Sequence, residues 1–333
     1  MKPTRASLLL PILMVVLAAC GGDHPMTTLD AHSDLTREIN HIYGRIFWWT
    51  ALLFILVQGG LIYTVLRFRA KGNETTNPEQ VHGNLKLELT WTILPIFILL
   101  HIAIPTVSLI FKSQAPSTEE GSVTINALGE QWWFAFEYPE LGVVTANEMH
   151  IPLGKEVEIR LQSDNVIHSF WVPQLAAKRD MMPGRVNQIK FKAEKLGEFH
   201  GQCAEYCGDS HALMKFRVVV DTPEDFAKWV EAQKAPADTE AATAKAGFEA
   251  FQGAGCVACH AIRGTTAAAV IGPDLTHVGS RTMIASGILE NNAENLKKWI
   301  MDPTEVKPGS KMLDLNLTDE QATSITAYLQ TLK

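Results

Sequence analysis

The sequence predicts a multidomain membrane protein with a two-helix transmembrane hairpin, an all-β domain and an all-α domain, in that order. Three observations support this fold class. Long apolar blocks occur only in the first third, short β-like runs punctuated by Gly and Pro follow from Ser122 to about Val220, and helical patterns occupy 244–333. The chain has 333 residues, enough for two or three domains. Its net charge of -7 gives no indication of nucleic-acid binding.

Residues 1–20 have the pattern of a lipoprotein-type signal peptide. A basic start is followed by an apolar run from Leu8 to Leu17 that is too short to span a membrane. Leu17-Ala18-Ala19-Cys20 resembles a bacterial lipobox, which implies that Cys20 is lipidated and becomes the mature N-terminus. An ordinary signal peptide cut nearby, with Cys20 incidental, is the alternative.

Two apolar runs predict the transmembrane domain, assigned to residues 21–115. Ile46–Leu66 has no charge and is long enough for one membrane-spanning helix, expected at about 46–67. Trp91–Phe111 is the second run and predicts a helix at about 91–111. Two buried core helices are the alternative interpretation of these runs.

The loop between the two runs is basic, which predicts the orientation of the hairpin. It carries Arg67, Arg69, Lys71 and Lys86, so the positive-inside rule places it in the cytoplasm. Both termini then lie outside, in agreement with the signal peptide. We therefore expect a multi-pass protein of the bacterial inner membrane, with its extramembrane domains on the outer side.

Soft metal ligands are concentrated in one twelve-residue segment, which contains two thiols, an imidazole and a thioether. Another imidazole lies upstream. Thiolate, thioether and imidazole ligands favour copper, and this set suffices for two copper ions bridged by the thiolates. Each histidine would bind one copper, the methionine would be a weak axial ligand to one, and the Glu205 backbone carbonyl could serve the other. The side chains are those of His168, Cys203, Cys207, His211 and Met214.

A disulfide bond and a zinc site are the two alternatives to copper for the cysteine pair. A Cys203–Cys207 disulfide would suit an oxidising compartment, but it leaves the His and Met spacing unexplained. A zinc site is the other alternative, but zinc rarely recruits methionine.

Cys256-Val257-Ala258-Cys259-His260 predicts a covalently attached c-type haem. The two thiols form thioethers with the porphyrin, and His260 becomes the proximal iron ligand. A redox disulfide is the alternative for the CxxC spacing, but the adjacent histidine and the exported context favour haem.

The sixth iron ligand is expected to be a downstream methionine, which raises the potential of the iron. Met312 ends a loop just before the helix predicted from about Thr318, and is our assignment. Met283 is the competitor. Met301 lies within a predicted helix and is interpreted as a packing residue.

Several motifs together resemble subunit II of the haem-copper cytochrome c oxidases, over roughly residues 35–232. The resemblance implies a Greek-key cupredoxin domain at 120–232 that holds a dinuclear copper centre, CuA. Residues 244–333, after a linker at 233–243, resemble a class I cytochrome c domain, as in caa-type oxidases. The matching segments are Gln131-Trp132, His168-Ser169-Phe170, Pro183-Gly184-Arg185-Val186-Asn187-Gln188, Gly201-Gln202-Cys203 to Met214, and Gly272-Pro273-Asp274-Leu275.

The same resemblance implies roles for three further residues. Trp132 matches an exposed tryptophan that accepts electrons from cytochrome c, and a core or rim aromatic is the alternative. Glu205 matches a residue whose side chain also binds a magnesium ion shared with subunit I, and a solvated glutamate is the alternative. Glu88 matches a carboxylate at the mouth of a proton channel, although it could simply mark the helix boundary.

The function implied is that of the electron-accepting subunit of a terminal oxidase. Electrons would come from cytochrome c or from the preceding respiratory complex, pass through the c-type haem and CuA, and reach haem a in subunit I. There, in association with the other oxidase subunits, dioxygen would be reduced to water with proton pumping. No dioxygen chemistry is expected on this chain alone. The alternatives are the corresponding subunit of a CuA-type nitric oxide reductase, or a membrane-tethered electron carrier.

Overall fold

A computed structural model describes residues 24–70, 72, 80, 82–237 and 242–333 of the chain. The predicted signal peptide with Cys20, and the loop residue Lys71, lie outside the described residues. The described chain contains two long apolar helices, a β-sandwich and a helical C-terminal domain in that order. This order confirms the predicted fold class.

Two helices are long and apolar enough to cross a membrane, α1 (Asp34–Phe68) and α2 (Leu85–Gln114). With 35 residues at 1.5 Å each, α1 is about 52 Å long. A hydrocarbon core is about 30 Å thick, so α1 extends well beyond the apolar segment predicted at 46–67.

The extra length of α1 is its N-terminal part, which is fixed to the β-sandwich. Ser33 caps the helix in a capping box with Thr36 and also donates a hydrogen bond to the Leu175 carbonyl at 2.6 Å. The Lys192 amide donates to the Asp34 carboxylate at 2.8 Å. No helix was predicted here because these residues are polar and their partners come from the sandwich.

The sandwich consists of two five-stranded sheets, with strand orders β3-β2-β1-β5-β8 and β4-β10-β9-β6-β7. β1 pairs with β5, and β4 with β10, in parallel, whereas the other neighbours are antiparallel. The strands are Val123–Glu130 (β1), Trp133–Tyr138 (β2), Val143–Ala146 (β3), Glu148–Pro152 (β4), Glu156–Ser163 (β5), His168–Val172 (β6), Ala176–Met181 (β7), Asn187–Lys192 (β8), Gly197–Cys203 (β9) and Lys215–Asp221 (β10).

The sandwich core is aromatic, and it brings the copper-ligand strands together. Phe134, Phe170 and Phe216 are fully buried, with the Phe134 and Phe216 rings 4.7 Å apart. A Cβ atom at Gly201 would lie 2.3 Å from the Phe216 ring, so β9 can pack here only with glycine. This packing fixes the end of β9, where Cys203 stands.

The predicted linker at 233–243 begins inside a helix, α3 (Pro223–Lys234). Residues 235–237 then lie on the C-terminal domain, where the Ala237 amide donates to the Arg263 carbonyl at 2.9 Å and His277 Nε2 bonds the Ala235 carbonyl at 3.0 Å. Residues 238–241 are outside the described part of the chain. The segment therefore follows the surface of the C-terminal domain over its described residues.

The C-terminal domain is built on the contact between its first and last helices. A Cβ atom at Gly247 would lie 2.3 Å from Tyr328 Cβ, so glycine allows the two helices to meet. Phe251 and Tyr328 are buried beside this contact. The elements are α4 (Ala242–Gly253), β11 (Met283–Ile284), β12 (Leu289–Glu290), α5 (Ala293–Met301), α6 (Pro303–Val306) and α7 (Asp319–Thr331).

The helical domain rests directly on the sandwich, around a cavity of about 180 Å³ that both domains line. The Thr282 amide and hydroxyl donate to the Glu148 carboxylate at 2.9 and 2.8 Å. Next to it, His150 Nδ1 lies 2.6 Å from the Asp221 carboxylate. Burial opposes the charges, but hydrogen bonds outweigh it: His150 and Thr282 lower the pKa of Glu148, and Asp221 and Glu148 raise the pKa of His150.

We expect Glu148 to make the stability of the extramembrane domains pH-dependent on the acid side. Its lowered pKa stabilises the fold above the ordinary value of 4.5, and this contribution is lost as the pH falls through the lowered pKa. The raised pKa of His150 stabilises the fold below 6.5, and that contribution is lost as the pH rises through the raised value. Together, the two contributions are largest between these values.

Thermal unfolding of the Glu148→Gln protein, followed from pH 6 down to about pH 3, tests this dependence. The unfolding temperature of the variant should fall less steeply with acid than that of the unmodified protein. Glu231→Gln is the control, since the Glu231 side chain is 73% exposed and, among the described residues, its ion pair is with Lys234 on the same helix. If the unfolding temperatures of all three proteins fall equally steeply as the pH is lowered, the role of Glu148 is contradicted.

Candidate metal and haem sites

Five side chains and one backbone carbonyl converge where β6, β9 and the loop before β10 meet. Cys203 Sγ lies 3.8 Å from Cys207 Sγ and 3.9 Å from His168 Nδ1. Cys207 Sγ lies 3.6 Å from His211 Nδ1 and 3.9 Å from Met214 Sδ. The Glu205 carbonyl oxygen is 3.2 Å from Cys203 Sγ. The structure thus brings together the whole ligand set that the sequence predicts.

The loop from Cys203 to Met214 is closed by its own backbone. The Cys203 amide donates to the Met214 carbonyl at 2.9 Å, and the His211 amide to the Gly208 carbonyl at 3.0 Å. Gly208 has φ +114°, and a Cβ atom there would lie 3.0 Å from the Trp132 ring. Glycine is therefore required both for the turn and for the close approach of Trp132.

Asn165 orients His168, and the sequence analysis missed it. The His168 Nε2 atom lies 2.9 Å from Asn165 Oδ1, and Asn165 Nδ2 donates to the Glu130 carboxylate at 2.6 Å. With Nε2 engaged in this way, Nδ1 is the nitrogen that faces Cys203. Such partners fix the ring of a metal-binding histidine. The only sequence signal was the position of Asn165, three residues before His168.

These donors fit a thiolate-bridged copper pair. Two donor atoms about 2.3 Å from one metal ion stand about 3.7 Å apart in a tetrahedral site, close to the separations found here. Cys203 and Cys207 are free thiols, with sulfurs 3.8 Å apart, whereas a disulfide bond is about 2.05 Å long. Hydrogen bonds from Cys207 and His168 lower the pKa of Cys203, which favours the thiolate. The thioether of Met214 is a donor expected for copper rather than for zinc.

The haem-attachment motif lies on a short turn at the end of α4. Gly255 has φ +85°, and the His260 amide donates to the Cys256 carbonyl at 3.1 Å. His260 Nδ1 donates to the Pro273 carbonyl at 2.8 Å, which leaves Nε2 available for iron. Burial lowers the pKa of His260 and so favours the neutral imidazole. The residues present therefore fit a c-type haem.

Gly272, further along the same chain, leaves space for the His260 ring. A Cβ atom at Gly272 would lie 2.7 Å from His260 Cε1. Met312 is partly buried against the helical core, on the loop before α7, where the sequence predicted the sixth ligand. Met301 is the last residue of α5, and Met283 lies in β11. The assignment of Met312 stays a prediction.

Family models match along the chain in the same order as its domains. The cytochrome c oxidase subunit II transmembrane domain matches residues 24–109, the periplasmic domain of the same subunit matches 142–222, and cytochrome c matches 244–333. The chain belongs to the cytochrome c oxidase subunit II family. Its periplasmic-domain match implies CuA, and its cytochrome c match implies a c-type haem.

Curated members of this family resemble the chain over 80% or more of its length. Cytochrome c oxidase subunit 2 of Alkalihalophilus pseudofirmus is 37% identical, covering 98% of this chain and 97% of the relative. The protein of the same name from Bacillus subtilis is 33% identical, over 100% and 98%. That of Bacillus sp. strain PS3 is 39% identical, over 80% and 79%. The chain is thus an oxidoreductase subunit, anchored in the membrane and associated with the other subunits of an oxidase.

Trp132 differs in exposure from the tryptophan that the family resemblance implied. Trp132 is only 8% exposed, and its ring faces both Gly208 of the sandwich and Gly309 of the helical domain. Its indole nitrogen donates to the Cys207 carbonyl at 3.0 Å. The expectation of an exposed tryptophan is therefore wrong in this subunit II, although the ring does contact a copper-ligand residue.

Glu88 lies on the transmembrane hairpin, whereas Glu205 lies within the loop that carries the copper ligands. The Glu88 carboxylate accepts from the Asn84 amide at 3.2 Å at the start of α2, as a residue marking a helix boundary would. Glu205 is exposed, with only its carbonyl facing Cys203. Glu88 belongs to the hairpin of this subunit II and joins neither metal site.

Proposed function

We propose that this chain accepts electrons from an external cytochrome c, or from the preceding respiratory complex, and delivers them to haem a of subunit I. The observation that carries the proposal is the complete soft-donor set of the loop from Cys203 to Met214, on the same chain as His260 with its free Nε2. When bound, the copper pair and the haem supply reversible one-electron chemistry.

The residues of the copper site would have three roles. Cys203 and Cys207 would hold the copper ions as thiolates. His168 and His211 would bind them through ring nitrogens, and Asn165 holds His168 in the required tautomer. The remaining weak ligands are the Met214 thioether and the Glu205 carbonyl, and both lie within 4 Å of a bridging sulfur.

The residues of the haem site would follow the same logic. Cys256 and Cys259 hold the porphyrin covalently. His260 binds the iron through Nε2, because Nδ1 is engaged by the Pro273 carbonyl. Met312 would be the second protein ligand of the iron, and a thioether ligand raises the potential of haem iron.

The remaining assignments concern the membrane and subunit I. Both extramembrane domains would lie on the outer side of the bacterial inner membrane, with Cys20 lipidated, because the basic loop after Arg67 favours the cytoplasm. Glu88, at the start of α2 next to that loop, would collect protons for a channel. The exposed Glu205 side chain would bind magnesium together with subunit I.

Paramagnetic resonance of the full chain, matured with copper and haem and purified in detergent, tests the proposal. We expect a hyperfine pattern from one electron shared by two equivalent coppers, next to the optical bands of a low-spin c-type haem. A reduced soluble cytochrome c should then reduce both centres. A haem protein with Cys203 and Cys207 oxidised to each other would instead be a tethered electron carrier.

A further inference from the structure

The segment Lys307–Lys311, here called the docking loop, belongs to the helical domain but lies on the β-sandwich that carries the copper ligands, here called the copper domain. Lys307 Nζ donates hydrogen bonds to the Trp132 carbonyl and, at 2.7 Å, to Ser286 Oγ. Lys307 is only 3% exposed and Ser286 5%. Burying an ammonium group is costly unless partners are fixed around it. Both partners of Lys307 are fixed, so the contact specifies one relative position of the domains.

The middle of the docking loop contacts the loop from Cys203 to Met214 that carries the copper ligands. Ser210, one residue before the copper ligand His211, donates through its hydroxyl to the Pro308 carbonyl. Gly309 has φ +79°, and a Cβ atom there would lie 2.8 Å from Asp209 Cβ and 3.4 Å from the Trp132 ring. Only glycine allows this approach, because any side chain would push the two loops apart.

A second segment of the helical domain, at Ser286, also hydrogen-bonds to Trp132. The Ser286 hydroxyl donates to the Trp132 carbonyl at 2.8 Å, and the Ser286 carbonyl accepts from the Lys215 amide at 3.1 Å. Ser286 and Ala285 both have positive φ, +61° and +51°, which is uncommon for residues other than glycine. The Trp132 carbonyl thus receives two donors from the helical domain.

These contacts connect the two cofactor sites through a short series of residues. The docking loop leads directly into Met312, the residue assigned to the iron. On the other side, the Trp132 indole donates to the carbonyl of Cys207, a copper ligand. Trp132 therefore lies between the axial-ligand loop of one site and a bridging thiolate of the other.

We propose that Lys307, Ser286 and Gly309 are positioning residues that hold the helical domain on the copper domain in one register, with the docking loop closing over Trp132. The proposal rests on the proposed function, since it explains how one electron crosses from the haem iron, oxidised by one unit, to the copper pair, reduced by one. No bond forms or breaks in this step. An external donor would then reach the haem domain from outside and not Trp132.

Residue-resolved hydroxyl-radical footprinting of the full holo chain, assembled in its oxidase, measures whether Trp132 is covered. Lys307→Glu places a buried carboxylate against the Trp132 carbonyl. We expect oxidation of Trp132 to rise about tenfold, equivalent to about 1.4 kcal/mol of lost docking. Electron transfer from photoreduced haem to copper should slow by a similar factor. Lys298→Glu is the matched control, because Lys298 is exposed and pairs with Glu305 in its own domain.

Gly309→Ala provides an independent second variant, because it adds one methyl group at the point of closest approach. It should also uncover Trp132 while the copper resonance and haem absorbance stay unchanged. Intact cofactor spectra with unchanged Trp132 protection in both variants would overturn the proposal. Loss of haem absorbance in Gly309→Ala would also count against it, since the role of Gly309 would then lie inside the helical domain. Missing copper or haem signals in the unmodified chain would contradict the proposed function instead.

Discussion

Replacing Cys203 by serine is expected to abolish the dinuclear copper site and, with it, electron delivery by the subunit. Cys203 Sγ lies within 4 Å of Cys207 Sγ, His168 Nδ1 and the Glu205 carbonyl, so it is central to the donor set. A thiolate can bridge two copper ions, and hydrogen bonds already favour that form by lowering the pKa of Cys203. A serine hydroxyl stays protonated at neutral pH and is a hard donor that matches copper poorly.

The measurement is the paramagnetic resonance of the purified chain, together with oxidase turnover on a reduced cytochrome. The shared-electron copper signal should disappear, and turnover should fall by more than about a hundredfold, the upper end of what losing a merely supporting contact costs. Tyr206→Phe is the control from the same loop. Tyr206 is 76% exposed, and its ring makes an edge-on contact with the His211 ring that phenylalanine preserves. A dinuclear signal that persists in Cys203→Ser would remove Cys203 from the bridge.

The two cofactor motifs could be predicted from sequence because their residues are close along the chain. Cys203 to Met214 spans one loop, and Cys256 to His260 spans one turn, so residue type and spacing alone determine which atoms meet. His168 is the exception, since it comes from another strand. Its inclusion depended on the ligand count that two copper ions need.

The junction between the domains could not be predicted in the same way. Trp132 and Lys307 are far apart in sequence, and the sequence does not show whether a given lysine is buried or exposed. The Trp132 ring lies between Gly208 of the sandwich and Gly309 of the helical domain, and the sequence alone does not show this second contact, so the family resemblance indicated an exposed ring. The start of α1 at Asp34 was missed for a similar reason, because its partners come from distant parts of the chain, Leu175 from the β6–β7 turn and Lys192 from β8.

The junction also changes what the fusion of the two domains accomplishes. A flexible tether would raise the local concentration of the donor and leave its orientation free. Here the Ala237 amide and His277 also fix the described end of the connecting segment to the helical domain. Orientation is then set by Lys307, Ser286 and Gly309 rather than by a search on each encounter.

Replacing His260 by alanine is expected to remove the stable haem while the copper site survives. The haem domain loses its proximal ligand and the packing of the imidazole against Gly272, so its core should loosen. The sandwich has a separate hydrophobic core, centred on Phe134, Phe170 and Phe216, and the copper ligands depend on that core. Optical spectra should lose the c-type haem bands, and the shared-electron copper resonance should remain.

The same variant separates the contribution of the docked domain from that of the copper domain. Electron transfer from an external cytochrome through the haem should fall by more than about a hundredfold. Trp132 should become accessible to radical footprinting, because the loosened domain no longer covers it. His277→Gln is the control, since His277 bonds the Ala235 carbonyl through a nitrogen that an amide can replace. Loss of the copper resonance along with the haem would show that the sandwich depends on the docked domain, contrary to the two separate cores.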